Sequence, residues 1–79
     1  MAETAVALTI DARGLSCPLP ILRAKQGIGS VAVGEVLEVL ATDRGSMADF
    51  QAWTRATGHE LVSAELADGL YTYRIRRSK

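Results

Sequence analysis

Between Asp11 and Pro20 the chain reads Asp-Ala-Arg-Gly-Leu-Ser-Cys-Pro-Leu-Pro, and this segment constrains the fold more than any other. Before it, Val6, Leu8 and Ile10 alternate with Ala7 and Thr9, the period-two pattern of a half-buried strand ending at Asp11. After it, Ile21, Ala24 and Ile28 recur at i, i+3 and i+7, so a helix buries that face and ends near Gly27 to Ser30. Pro18 and Pro20 mark the junction. Proline lacks a backbone N–H and is preset near φ of about −65°, which suits the first turn of a helix, where amides have no intrahelical partner. Cys17 therefore falls at or just before the helix start, in a strand-to-helix loop. On this helical wheel Leu19 and Leu22 lie off the buried stripe, leaving apolar side chains beside the sulfur.

The remaining chain alternates in the same way. Glu35 to Thr42 is apolar and rich in β-branched residues, as expected of an interior strand entered through Gly34, and strand–helix–strand implies a parallel crossover. The loop Asp43-Arg44-Gly45 then emerges at the same sheet edge as the Cys17 loop. Ser46 is suited to cap a second helix, with Asp49 three residues on completing a pattern like a capping box. Phe50, Trp53, Thr54 and Thr57 follow at helical spacing, with Phe50 and Trp53 as core positions, and Gly58 is a natural C′ residue. Glu60 to Leu66 reads as a third strand, Asp68-Gly69 as hairpin turn chemistry and Leu70 to Arg76 as a fourth strand with Tyr71, Tyr73 and Ile75 on one face. The order βαβαββ predicts an α+β fold: a two-layer α/β sandwich with a four-stranded mixed sheet and two helices on one face. Seventy-nine residues make a single domain over 1–79, with Met1 to Thr4 a loose end.

Cys17 is the only cysteine, so neither an internal disulfide nor a Cys-x-x-Cys pair is available. A helix start favours an anion, and a thiolate is one. A dipole contribution of ~0.3–1 kcal/mol is worth at most roughly 0.7 pKa unit, which leaves a thiol near ~8.5 mostly protonated at neutral pH. The competing reading is a buried structural cysteine, since free Cys is among the most buried residue types. His59, the only histidine, is the sole candidate for a Cys–His pair and otherwise a capping or surface residue. One Cys and one His cannot supply a metal site of three or four protein ligands, and no phosphate-binding glycine loop occurs, so neither metal nor cofactor is indicated. Asp11 and Asp43 are both expected near the sulfur, where carboxylates oppose thiolate formation. Nine basic residues balance nine acidic ones, which argues against a protein built mainly to bind phosphate backbone, although Arg74, Arg76, Arg77 and Lys79 crowd the C-terminus. No apolar run of ~18–20 residues and no signal-peptide pattern is visible, so the expected location is the cytoplasm, with no membrane association.

The run Gly14-Leu15-Ser16-Cys17-Pro18-Leu19-Pro20, with an acidic residue before it and Lys25 eight positions after the Cys, resembles the TusA/SirA family of small sulfur-carrier proteins. The similarity runs from about Leu8 to Arg76 and takes in Gly34-Glu35, Asp43 and Tyr73-Arg74-Ile75-Arg76. The resemblance implies a sulfurtransferase-type carrier without catalytic machinery of its own. Cys17 would accept sulfane sulfur as a persulfide from a cysteine desulfurase or rhodanese-like donor. It would then relay that sulfur to an acceptor protein in tRNA thiolation, molybdenum-cofactor or sulfur-oxidation pathways. Gly14, Pro18 and Pro20 would support the motif, and Leu19, Leu22, Lys25 and Asp43 would form the docking face. Two other classes stay open: a small RNA-binding module using the C-terminal basic residues, and a redox-sensing single-thiol protein, which normally wants a resolving partner.

Overall fold

A computed structural model describes residues 5–79, so the expectation for Met1 to Thr4 lies outside the described residues. Strands β1 (Val6–Ala12), β2 (Val36–Ala41), β3 (Glu60–Ala67) and β4 (Leu70–Arg76) form one sheet, and helices α1 (Leu19–Ile28) and α2 (Ser46–Thr57) join them in the order β1-α1-β2-α2-β3-β4. Across the sheet the strands run β1-β2-β4-β3, with β1 parallel to β2 and the other two pairs antiparallel. The expected mixed sheet and α+β class are therefore present. β1 runs one residue past Asp11, because Ala12 pairs with Ala41 and both are fully buried. The β3–β4 hairpin turns through Asp68 and Gly69, both at positive φ (53° and 78°), as in a type I′ turn.

One face of the sheet carries the core. Leu37, Val39 and Ala41 from β2 and Tyr73 and Ile75 from β4 are fully buried beneath Ile21 and Ala24 of α1 and Phe50 and Trp53 of α2. Each large apolar side chain buried in this way contributes about 1.5–3 kcal/mol. Phe50 stacks on Tyr73 at 4.2 Å between ring centroids and meets Trp53 edge-on at 6.1 Å. α1 lies so close to the sheet that a Cβ on Gly27 would overlap the end of the Ile10 side chain, which would have to move aside. The opposite face mixes polar side chains with Val36, Leu40 and Leu70. There Glu38 accepts hydrogen bonds from Thr9 on one neighbouring strand and Arg74 on the other. No helix among the described residues is long and apolar enough to cross a membrane.

Candidate functional site

Parallel pairing of β1 and β2 brings the two strand-to-helix loops to one end of the sheet. Gly14, at φ +80° in a conformation that L side chains rarely adopt, turns the first loop and donates its N–H to Thr42 Oγ1 at 2.9 Å. In the second loop, the place a Cβ on Gly45 would occupy is 3.9 Å from Cys17 Cβ. Asp43 Oδ2 accepts the Gly45 N–H at 3.0 Å, which fixes that turn. The core reaches this loop through hydroxyls. Ser46 Oγ donates to the Asp43 carbonyl at 2.7 Å and lies 2.6 Å from the buried Tyr73 hydroxyl. A serine has one hydroxyl hydrogen, so Tyr73 donates to Ser46, which donates to Asp43.

This relay displaces the expected cap. Gly45 is the N-cap of α2, no side chain caps it, and Ser46 is the first helical residue, because its hydroxyl satisfies the buried Tyr73 instead. Asp49 is consequently not part of a capping box. Its carboxylate reaches across to the first loop, where Cys17 Sγ donates to Asp49 Oδ2 at 3.0 Å. Asp11, expected near the sulfur, is instead held by Arg13 at 2.8 and 2.9 Å, and that pairing lowers its carboxyl to about 2.

Cys17 is exposed, which removes the buried structural cysteine as a reading. Its surroundings oppose a thiolate, as expected of Asp43 and against the expectation for a helix start. The hydrogen bond to Asp49, desolvation and the charges of Asp49 and Asp43 all push the thiol up from its ordinary value. The prolines explain why α1 does not compensate. Pro18 is its N-cap and Pro20 lies in its first turn, neither has an N–H, and the Leu19 N–H is taken by the Ser16 carbonyl at 2.8 Å. Of the four amides at this helix start, two are absent and one is taken, so only that of Ile21 is left to favour a thiolate.

Below the sulfur a groove of about 490 Å³ runs between α1 and α2, lined by Cys17, Pro18, Ile21 and Lys25 on one side and Asp49, Ala52, Trp53, Ala56 and Thr57 on the other. Leu19 and Leu22 of α1 are each 44% exposed, Lys25 lines the groove together with Cys17, and Asp43 acts on the sulfur from the β2–α2 loop. His59 does not join them. Its Nδ1 accepts the Ser78 N–H at 3.0 Å and its ring meets Trp53 edge-on, so it ties down the C-terminal segment. The C-terminal arginines are likewise engaged: Arg74 with Glu38, Arg76 with Glu60, and Arg77 with the Val31 and Lys79 carbonyls. Asp49 is the site residue that sequence reading missed. The signal for it was the spacing Asp49, Ala52, Trp53, Ala56, a helix face with small residues on which a second helix can lie.

Comparison with known proteins bears on this geometry. The family model described as Sulfurtransferase TusA matches residues 8–77. The chain is 46% identical over 69 residues to Sulfur carrier protein TusA of Allochromatium vinosum, covering 87% of this chain and 91% of that protein. It is 38% identical over 69 residues to Sulfur carrier protein TusA of Pseudomonas entomophila, covering 87% and 86%. Among solved structures, a SirA-like protein from Desulfitobacterium hafniense superposes with a TM-score of 0.79 at 28% identity, covering 91% of this chain and 99% of that one.

Proposed function

The chain belongs to the TusA sulfurtransferase family, whose members include proteins named as sulfur carriers, and from that premise we propose that it carries sulfane sulfur as a persulfide on Cys17. The observation that carries the reading is the exposed sole thiol at the mouth of the α1–α2 groove, flanked by exposed Leu19 and Leu22. A sulfur that must meet a second protein's sulfur needs access and a surface to dock on. In this reading residues 1–79 act as one cytoplasmic carrier domain, with Leu19, Leu22, Lys25 and Asp43 contacting the partners. A cysteine desulfurase or rhodanese-like protein supplies the sulfur, and a second protein, in tRNA thiolation, molybdenum-cofactor synthesis or sulfur oxidation, receives it. The carrier holds the sulfur between them and needs no cofactor to do so.

Loading moves one sulfur atom. The donor's persulfide R–S–SH and Cys17–SH become R–SH and Cys17–S–SH: the donor's S–S bond breaks, a new one forms at Cys17 Sγ, and the thiol proton ends on the donor's sulfur. The test is intact mass after incubation with a cysteine desulfurase and cysteine. A gain of one sulfur atom that reductant removes supports the carrier, because an S–S bond is open to thiol exchange whereas sulfinate and sulfonate are not readily reversed. A protein that gains oxygen atoms from peroxide yet never gains sulfur from any donor would support the redox-sensing alternative instead. The nucleic-acid alternative would use the C-terminal basic residues, two of which pair with Glu38 and Glu60, and a steep fall of RNA binding with rising salt would support it.

A further inference from the structure

The carboxylate against the sulfur runs counter to what an always-ready nucleophile requires. Asp49 of α2 accepts the thiol hydrogen bond at 3.0 Å, and Asp43 of the β2–α2 loop adds a second negative charge. From α1, Lys25 lines the same groove, yet among the described residues no Lys or Arg nitrogen lies within 4.0 Å of either carboxylate. Every other acidic side chain facing a basic one in a salt bridge is elsewhere: Asp11, Glu38 and Glu60 each have an arginine. Glu35, Glu65 and Asp68 also lack a basic partner among the described residues, but only Asp43 and Asp49 act on a reactive sulfur.

We infer that Asp49 determines which reagents Cys17 answers to: its carboxylate holds the thiol hydrogen in the free carrier, and a partner frees the sulfur by presenting a cation that takes over the carboxylate. This rests on the carrier reading above and adds to it a stated partner chemistry, a Lys or Arg side chain placed beside the partner's own reactive sulfur. The free carrier is then slow toward small electrophiles and small persulfides, while a protein partner brings the matching charge as it docks. Asp49 neither gains nor loses a proton over the full transfer; it acts on Cys17 and so is a specificity-determining residue rather than a nucleophile or acid. Complementary charge also sets the register in which the two sulfurs meet.

The test uses the full chain with Asp49→Asn, which keeps shape and removes charge, Asp49→Glu, which keeps charge, and Asp49→Ser as a second neutral variant should the amide fail to fold. The first readout is the rate of Cys17 alkylation by iodoacetamide against pH. In the neutral variant the midpoint moves to lower pH by about one unit, as expected when a carboxylate in contact is lost. At neutral pH the resulting tenfold rise in thiolate, offset by lower intrinsic nucleophilicity, leaves alkylation about three- to fourfold faster. The second readout is sulfur loading from glutathione persulfide against loading from a persulfidated cysteine desulfurase. The neutral variant loads faster from the small persulfide and slower from the protein, and Asp49→Glu restores the wild-type ratio. An unmoved alkylation midpoint, or an equal gain with both sulfur sources, overturns the inference. Wild-type protein that takes sulfur from neither source overturns the carrier reading instead, and the alkylation profile then still decides whether Asp49 governs the thiol.

Discussion

The sulfur end and the C-terminal edge of the molecule both stand out in the sequence, one by a cysteine between turn residues and prolines, the other by four basic residues within the last six. The structure treats their charges in opposite ways. At the C-terminal edge Arg74 and Arg76 are paired with Glu38 and Glu60, Arg77 donates to the Val31 carbonyl at 2.7 Å, and His59 accepts from Ser78. At the sulfur end Asp49 receives only the thiol hydrogen, and Asp43 receives a backbone amide. Charges satisfied inside the fold hold the chain together, whereas charges left without a counter-ion beside a reactive atom are available to something outside it.

The largest effect comes from a residue that touches both regions. Trp53 lines the groove below Cys17 and carries the His59 ring on its edge. Trp53→Ala should cost about 3–5 kcal/mol, read as a fall in the urea unfolding midpoint, and should loosen both ends together. A variant that lost sulfur transfer but kept wild-type stability would separate the groove from the core and break this link. Next is Lys25→Glu, on the α1 wall of the groove. Transfer from a protein donor should slow by about tenfold at low salt, since rim charges act on encounter rate, while stability changes by about 0.5 kcal/mol or less. Unchanged rates with every donor would remove Lys25 from the docking face.

The corresponding change at the other region should do little. Arg76→Ala breaks a pair with Glu60 whose side chains are both well exposed, so a loss of about 0–1 kcal/mol in chemical denaturation and no change in sulfur transfer are expected. Slower transfer in this variant would contradict the division between the two regions. The smallest effect concerns Asp11 and Arg13, on the sulfur-end loop but turned to each other. Folding lowers the Asp11 carboxyl from 3.8 to about 2, so this pairing stabilises the fold fully above the unfolded value and is lost as pH falls through the folded one. Arg13→Ala should lower the unfolding midpoint slightly near neutrality and make its decline between about pH 4 and pH 2 shallower, so that variant and wild type converge at the acid end.

Much of this architecture was legible because it depends on local chemistry. Alternation in Val6–Ile10, proline at a helix start, glycine after Thr57 and Asp68-Gly69 in the hairpin are each set by neighbours in the chain, and each element formed close to its expected bounds. The exposure of Leu19 and Leu22 followed from the helical wheel and that of Cys17 from its strand-to-helix loop. The electrostatics of the sulfur did not follow, for two reasons. Ser46 and Asp49 carry the spacing of a capping box, and only the fold shows that a buried Tyr73 hydroxyl claims Ser46 and that Asp49, 32 residues from Cys17 along the chain, meets its sulfur. The prolines that marked the helix start also removed two of the four amides that would have favoured a thiolate there. One local signal served two purposes, and the sequence displayed only the first.

The central claim is that sulfur passes through Cys17 from one protein to another, and a relay with labelled sulfur tests it most directly. Isotopically labelled cysteine, a cysteine desulfurase, this protein and a candidate acceptor from a thiolation or sulfur-oxidation system are combined, and label on each protein is followed in time. Label should rise first on this protein, in an adduct that reductant releases, and then on the acceptor. Cys17→Ser, close to isosteric at an exposed position, should stay folded, remain unlabelled and leave the acceptor unlabelled. Label that reaches the Cys17→Ser protein, or an acceptor labelled equally well with that variant in place of wild type, would contradict the account.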